Sequence, residues 1–238
     1  MIGETFVKTA TDILEEVKSI FSAKWQRRDG NKVPKLDDIQ LGSNDAVQLE
    51  GTVLYADMAD STGLVTGFKD WFAAEIYKSY LIAACHIIRN NSGVITAFDG
   101  DRVMAVYRGD TKNSAAGKSA LQISWAVKEI NSAVRSAYPT TSFQLVHSVG
   151  IDTSDLFVAK TGIREFNDLV WVGSAANYAA KLAGGAEFSN GVFITDAVFK
   201  RLRDDVKYGG NPRRSMWEQL RWNATNKVIY RSTWSWKP

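Results

Sequence analysis

The chain has 238 residues, of which 45% are hydrophobic and 23% charged, which is enough apolar material for one sizeable core and excludes a disordered chain. Its net charge of +3 comes from 29 basic and 26 acidic residues, a balance that gives little support for nucleic-acid binding. One cysteine excludes an internal disulfide framework, and two histidines leave little material for a zinc site, so carboxylates must carry any metal chemistry.

The sequence contains no run of about 18 apolar residues and no secretory leader. The single cysteine also fits a reducing compartment. We therefore predict a soluble, cytoplasmic protein that binds no membrane and no nucleic acid.

The N-terminal region is predicted to be an amphipathic helix followed by a linker. Apolar residues recur at helical spacing over residues 6–21, a face that must pack on the domain or on a second subunit. Residues 25–44 contain glycine, proline and many charges, which is typical of a connecting segment. We predict an N-terminal helix and linker over residues 1–45 and a globular domain with a C-terminal hairpin over residues 46–238.

The pattern of apolar and turn residues in the globular part predicts the element order strand, helix, strand, strand, helix, strand. This order is the signature of a ferredoxin-like split unit. Long helices with one apolar face are predicted over residues 68–90 and 113–137. The other predicted elements are strands over residues 53–56, 94–98, 102–107, 143–151, 156–159, 169–172, 192–195, 216–222 and 227–234, and helices over residues 175–183 and 196–203.

Two strand ends carry the residues of a candidate metal–triphosphate site. The first strand ends in Asp57, and the turn from Met58 to Thr62 offers backbone N–H groups and a hydroxyl to phosphate oxygens. Asp101 follows Gly100 at a predicted hairpin turn, so two strands bring both carboxylates to one edge of the sheet. Each piece alone is as readily a solvated turn, and the metal site is favoured only in combination with further motifs.

These motifs resemble the catalytic domains of class III nucleotide cyclases, over residues 51–195. In that family an aspartate, an apolar residue and a small turn that closes on threonine follow the first strand, and a second aspartate follows a hairpin glycine. The third motif is a strand with the sequence Val-Gly-Ile, followed by a polar turn and a glycine. The fourth is a glycine with an asparagine four residues later and a cationic residue four residues after that. The matching residues here are Asp57, Met58, Thr62, Gly100, Asp101, Val149, Gly150, Ile151, Gly162, Gly173, Asn177 and Lys181.

The resemblance implies an α+β, ferredoxin-like class III cyclase fold with a central, mostly antiparallel sheet flanked by helices. It also implies two divalent metal ions, Mn²⁺ or Mg²⁺, bridged by Asp57 and Asp101, with the Met58 backbone carbonyl completing the second ion. Such ions lower the pKa of the ribose 3′ hydroxyl and neutralise the leaving pyrophosphate.

In the resembling family, Asn177 and Lys181 act on the nucleotide of the opposite subunit, where the amide orients the ribose and the cation meets charge on the transferred phosphate. The resemblance therefore implies a head-to-tail homodimer with shared active sites. The simpler interpretations are helix capping for Asn177 and a solvated charge for Lys181.

Departures from the family pattern bear on the substrate. Lys181 replaces the usual arginine, and Ser148 stands where many members place a phosphate-binding arginine. Family members that select adenine use a lysine and an aspartate to recognise the base. In this chain those positions hold Ala97 and Val170. We therefore expect a nucleoside triphosphate other than ATP.

Two positions resemble the bacterial pyrimidine cyclases of the Pycsar antiphage defence system, which make cyclic UMP or cyclic CMP to activate a separate effector protein. They are Tyr55, two residues before Asp57, and Arg102, directly after Asp101. A guanidinium donates to the O4 and O2 carbonyls of uracil but opposes the amino group of cytosine, and Tyr55 would narrow the pocket against purines. We therefore predict a uridylate cyclase that makes a second messenger, although Arg102 could instead pair with Asp99 or the triphosphate.

Other functions stay open at this point. The enzyme could convert CTP to cyclic CMP, or it could be an adenylate or guanylate cyclase with unusual base contacts. The chain could also be a catalytically silent cyclase-like module that senses nucleotides or binds a partner. The combination of Asp57, Asp101 and Asn177 argues against the silent module, because such a module needs no paired metal ligands.

Overall fold

Two long strands, β2 (Asp45–Met58) and β5 (His147–Ile163), run through the centre of the fold. The computed structural model describes residues 7–185 and 187–238, so Phe6 of the predicted helix lies outside the described residues. Contacts divide the chain into two units, and both strands contribute residues to each. The first unit comprises the described residues up to Leu49 with Phe157–Trp171, and the second comprises those of Glu50–Leu156 with Val172–Pro238.

The remaining elements largely follow the predicted order along the chain. They are α1 (Ala10–Ser22), β1 (Gln26–Asp29), α2 (Ser61–Gly67), α3 (Asp70–Asn90), β3 (Val94–Asp99), β4 (Arg102–Tyr107), α4 (Lys112–Ala137), β6 (Phe166–Val172), α5 (Ser174–Gly184), β7 (Gly191–Thr195), α6 (Asp196–Arg201), α7 (Asp204–Lys207), β8 (Tyr208–Gly209), β9 (Arg214–Ser215), β10 (Glu218–Trp222) and β11 (Lys227–Ser232).

The second unit is built on a sheet with the strand order β10-β11-β7-β5-β2-β4-β3. Strand β4 pairs antiparallel with β2 and β3, and β11 pairs antiparallel with β7 and β10, whereas β5 and β7 run parallel. Helices α3 and α4 pack against this sheet through an apolar core that includes Leu54, Phe72, Ile76, Leu121 and Ile151. This architecture confirms the predicted α+β fold with a mostly antiparallel sheet.

The first unit contains α1, β1, β6 and the outer ends of β2 and β5. Strand β1 pairs in parallel with the start of β2, so the predicted linker contains a strand that the sequence analysis missed. Its four residues are all exposed and lack apolar alternation, which explains the omission. Helix α1 begins after Thr9, which exchanges hydrogen bonds with Asp12, and the apolar face predicted to pack elsewhere is exposed in the single chain.

The prediction of two separate strands over residues 143–151 and 156–159 was wrong, because β5 is continuous. Two of the polar residues between them, Asp152 and Thr153, are buried and hydrogen-bonded inside the sheet. Thr153 Oγ1 donates to the Gly51 carbonyl at 3.2 Å, and the Asp152 carboxylate accepts from the Thr195 hydroxyl. Hydrogen bonding therefore allows the strand to continue through polar residues.

Every helix within residues 7–185 and 187–238 is too short or too polar to span a bilayer.

Gly150 allows α5 to lie directly on β5. A Cβ atom at this position would lie 2.1 Å from the Ala179 carbonyl oxygen and 2.7 Å from the Ala183 nitrogen, both in the backbone of α5. A backbone cannot yield to a methyl group as the end of a flexible side chain can. The helix that carries Asn177 and Lys181 is therefore positioned by the absence of a side chain on β5.

Replacing Gly150 with alanine should destabilise the protein. We expect Gly150→Ala to lower the free energy of unfolding by about 1–3 kcal/mol, because the new methyl group must push α5 away from the sheet. Urea unfolding monitored by circular dichroism would measure the change. Gly67→Ala is the matched control, since a Cβ atom at Gly67 meets nothing within 4 Å. Equal unfolding midpoints for Gly150→Ala and the parent would contradict the close approach of α5.

Candidate active site

Two carboxylates lie at one end of the main sheet. Asp57 is the next-to-last residue of β2 and is 7% exposed. Asp101 lies in the two-residue turn between β3 and β4, where Gly100 adopts a left-handed conformation with φ of 60°. The charges of Asp99 and Asp101 both act on Asp57 to raise its pKa. The structure thus brings together the two aspartates that the sequence analysis selected.

A cation lies against one of these carboxylates. Arg102 Nη2 donates to Asp57 Oδ2 at 2.6 Å, and its Cζ atom lies 5.9 Å from the centroid of the Tyr55 ring. Among the described residues, Arg102 therefore pairs with Asp57 and not with Asp99, the protein partner considered from the sequence.

Burial is the largest influence on the Asp57 carboxyl and raises its pKa. The hydrogen bond and charge of Arg102 oppose this effect, while the two neighbouring aspartates add to it. The net pKa of Asp57 is raised above its ordinary value. The site therefore holds more negative charge than Arg102 alone compensates.

The two carboxylates fit a divalent metal ion. Asp101 Oδ2 is buried and has no hydrogen-bond partner within the described residues, which is costly for a carboxylate oxygen. Hard cations such as Mg²⁺ and Mn²⁺ prefer carboxylate oxygens, and Mg²⁺ commonly uses one or two of them together with substrate phosphates. In the described part of the chain, no group of three or more His, Cys, Asp or Glu side chains could hold a metal. An ion here would therefore rely on Asp57, Asp101, backbone oxygens and the substrate.

The turn after β2 contributes the other residues predicted to lie near the metal and phosphates. Met58 ends β2 and is buried, whereas Thr62 is exposed as the second residue of α2. The α2 helix is capped by Asp60, whose side chain accepts from the Gly63 N–H at 3.1 Å. Ser148, at the position where many family members have arginine, is buried and donates to the Phe188 carbonyl.

The α5 helix reaches the carboxylates of its own chain through its last residue. A Cβ atom at Gly184 would lie 2.4 Å from Arg102 Nη2 and 3.3 Å from Asp57 Oδ2. The same face of α5 carries Asn177 seven residues before Gly184 and Lys181 three residues before it. Both are exposed, and within the described residues neither makes a hydrogen bond or ion pair with Asp57 or Asp101. Sequence reasoning missed Gly184 because a glycine at a helix end is typical of a C-terminal cap.

Comparison with known proteins assigns the family. No model of a known protein family matches the sequence. A protein named uridylate cyclase from Xanthomonas perforans is 49% identical over 220 residues, which cover 92% of this chain and 94% of that protein. Another protein of that name, from Burkholderia cepacia, is 44% identical, with coverage of 95% of this chain and 98% of that one. The chain belongs to the uridylate cyclase family.

Solved structures confirm the fold of this cyclase. A crystallised guanylyl cyclase superposes with a TM-score of 0.65 at 16% identity, covering 80% of this chain and 95% of that one. An adenylyl cyclase from P. aeruginosa gives a TM-score of 0.63 at 18% identity, covering 79% and 95%. The resemblance to class III cyclases, and to their pyrimidine-specific members in particular, is thereby confirmed.

Tyr80 lies buried against the backbone of Asp57, and the buried His147 lies near Tyr80; sequence reasoning gave neither a role at the cyclase site. The Tyr80 hydroxyl donates to the backbone carbonyl of Asp57 at 3.3 Å, and burial raises the pKa of Tyr80 well above its ordinary value, so the phenol stays neutral. The ring of His147 lies 6.3 Å from that of Tyr80, centroid to centroid. Burial lowers the pKa of His147 to about 4, and its Nδ1 has no hydrogen-bond partner within the described residues.

Acid should destabilise the cyclase through His147. Its pKa is about 4 in the folded protein against an ordinary 6.5, so between these values the unfolded chain binds a proton that the folded chain does not. Stability must therefore fall as the pH drops from 6.5 towards 4. The free energy of unfolding of the parent should decrease between pH 7 and pH 4.5. We expect this decrease to be smaller by about 2–3 kcal/mol in His147→Gln, which has no imidazole to protonate.

Urea unfolding at a series of pH values would measure this slope. His86→Gln, at the second of the two histidines, is the control and should retain the full loss of stability in acid. Parallel slopes for His147→Gln and the parent protein would show that His147 is not the acid-sensitive group.

Proposed function

We propose that the chain converts UTP to 3′,5′-cyclic UMP and pyrophosphate with the aid of two divalent metal ions, Mn²⁺ or Mg²⁺. The ribose 3′ oxygen forms a bond to the α-phosphorus while the bond from that phosphorus to the leaving pyrophosphate breaks, and the hydroxyl proton passes to solvent. The observation that carries the proposal is the pairing of Asp57 and Asp101 at one sheet end, with Arg102 and Tyr55 beside them, in a chain of the uridylate cyclase family.

In this proposal, Asp57, Asp101 and the Met58 backbone carbonyl hold the metal ions. When bound, the ions supply positive charge that makes the 3′ hydroxyl more acidic and neutralises the leaving pyrophosphate. Two observations support the assignment: the raised pKa of Asp57 and the unpaired, buried Oδ2 of Asp101. The first reflects burial of the Asp57 carboxyl beside two other aspartates, and the second an oxygen without a hydrogen-bond partner within the described residues; a bound cation would compensate both.

Base selection is proposed to rest on Arg102 and Tyr55. A guanidinium can donate to both carbonyl oxygens of uracil, whereas it cannot accept from the amino group of cytosine. The half-buried Tyr55 ring would limit the pocket to the smaller pyrimidine ring. Thr62 and the backbone at the start of α2 would donate to the triphosphate.

A homodimer with shared active sites completes the proposal. Asn177 would orient the ribose and Lys181 would meet the charge on the transferred phosphate, each in the site of the opposite subunit. Their exposure on α5, with no hydrogen bond or ion pair to the carboxylates of their own chain within the described residues, supports this division of roles. Cyclic UMP would then act in the cytoplasm as a second messenger that activates a separate effector protein in antiphage defence.

Incubation of the purified protein with Mn²⁺ and each of the four ribonucleoside triphosphates tests the reaction and its substrate. We expect cyclic UMP from UTP as the main product, detected by mass spectrometry, with far slower turnover of CTP, ATP and GTP. Asp57→Asn and Asp101→Asn should each abolish turnover, because a neutral amide with a single oxygen can neither neutralise nor bridge two divalent ions as a carboxylate does.

Circular dichroism would check that both amide variants remain folded. A main product other than cyclic UMP would contradict the substrate assignment. Activity within a few-fold of the parent in either variant would contradict the assignment of the two aspartates to metal binding.

Mixing two inactive variants tests the shared site. Asp57→Asn and Asn177→Ala subunits should each be inactive alone, and a mixture that exchanges subunits should recover about a quarter of the parent activity, because random heterodimers contain one intact site of two. A mixture of Asp57→Asn with Asp101→Asn is the control. Both aspartates of a site come from the same subunit, so every site in this heterodimer lacks one of them and no activity should return. If subunit exchange is demonstrated and no activity returns, one chain must supply all the residues of a site.

A further inference from the structure

The ion pair between Arg102 and Asp57 occupies the oxygen that the proposed reaction assigns to a metal. Arg102 Nη2 lies 2.6 Å from Asp57 Oδ2, and the two side chains are only 29% and 11% exposed. A partly buried, charge-assisted hydrogen bond of this kind is stronger than a surface ion pair. A divalent ion binds a carboxylate oxygen at about 2 Å, so an ion on either oxygen of Asp57 would lie close to the like-charged guanidinium and be repelled by it. The two cations therefore compete for Asp57.

The Tyr55 ring offers the Arg102 guanidinium a second contact. Tyr55 precedes Asp57 by two residues on β2, so both side chains project from the same face of the sheet. The Arg102 Cζ atom already lies 5.9 Å from the centroid of the Tyr55 ring, at the outer limit of a cation–π contact. Displacement of the guanidinium from the carboxylate towards the ring would therefore be a short movement. The surroundings of the ring are the region assigned to the base.

Gly184 leaves the space in which the guanidinium meets Asp57. A Cβ atom there would lie 2.4 Å from Arg102 Nη2, and the φ angle of Gly184 is outside the range that favours glycine. The backbone therefore tolerates alanine, which is also the better helix former. What alanine would exclude is the guanidinium in its observed position.

We propose that Arg102 is an internal counter-ion for Asp57 in the metal-free enzyme and that divalent metal displaces its guanidinium towards Tyr55, where it contacts the base. The proposal rests on the proposed function, because it takes Asp57 as a metal ligand and Arg102 as a base contact. It makes Gly184 a positioning residue that leaves room for the resting position of Arg102. Binding of metal and binding of uracil are then coupled, and each strengthens the other by the same factor.

Direct binding of Mn²⁺ alone, without nucleotide, tests the competition. Titration calorimetry or the electron paramagnetic resonance signal of free Mn²⁺ gives the dissociation constant. We expect Arg102→Ala and Gly184→Ala each to bind Mn²⁺ about tenfold more tightly than the parent, because both remove the guanidinium from Asp57. Arg135→Ala, which deletes the same charge from the exposed last turn of α4, and Gly67→Ala are the matched controls and should bind as the parent does.

The two test variants should differ in base preference, which a purely structural role would not produce. Arg102→Ala loses the guanidinium and should turn over UTP and CTP at similar rates, whereas Gly184→Ala keeps the guanidinium and should retain the preference for UTP. Circular dichroism would confirm folding, and Gly184→Ala carries the test if Arg102→Ala does not fold.

The outcomes separate this proposal from the proposed function. If Arg102→Ala and Gly184→Ala bind Mn²⁺ no more tightly than the controls, or if none of the proteins binds Mn²⁺ alone, the counter-ion role is overturned. Production of cyclic UMP by the parent would still stand in that case. If the variants bind Mn²⁺ more tightly but the parent makes no cyclic UMP, the competition for Asp57 holds and the assigned reaction is the part that fails.

Discussion

The concentration of negative charge at the end of β2 is the constraint on which the site depends. Asp57 is buried next to Asp99 and Asp101, and burial and both neighbours raise its pKa. A carboxylate in this position destabilises the fold unless a cation or hydrogen bonds compensate it. The buried strand beneath it provides the opposing free energy, since Leu54 and Ala56 are fully buried in the main core. The protein thus holds a cluster of carboxylates at which Arg102 is the paired cation within the described residues.

Two glycines place α5 relative to this charge. Gly150 lets the helix backbone rest on β5, and Gly184 lets the end of the helix reach Arg102 and Asp57. Neither has a φ angle that demands glycine, so both act through the volume they leave empty. The exposed Asn177 and Lys181 take their positions from these two contacts. A side chain added at Gly150 on the sheet would therefore also shift Asn177 and Lys181 at the surface of α5.

Local patterns explain which parts were predictable from the sequence. Asp57 and Asp101 stand next to strand and hairpin signals that involve only neighbouring residues, and the fold that the family motifs implied is confirmed by the solved cyclase structures. Tyr80 and Gly184 reach the site through contacts between elements distant in the chain, which local residue patterns do not reveal. The partner of Arg102 was likewise decided by the register between β2 and β4. The exposed strand β1 and the polar centre of β5 were missed because their residue types favour loops.

The turn between β3 and β4 is only two residues long, since Asp99 and Arg102 form the last pair of the hairpin. Inserting or deleting one residue there would shift the register and turn each following side chain to the opposite face of the sheet. Asp101 and Arg102 must therefore be inherited as a unit. Sequence changes in this hairpin are therefore restricted to exchanges of side chains, because its length sets where Asp101 and Arg102 lie relative to Asp57.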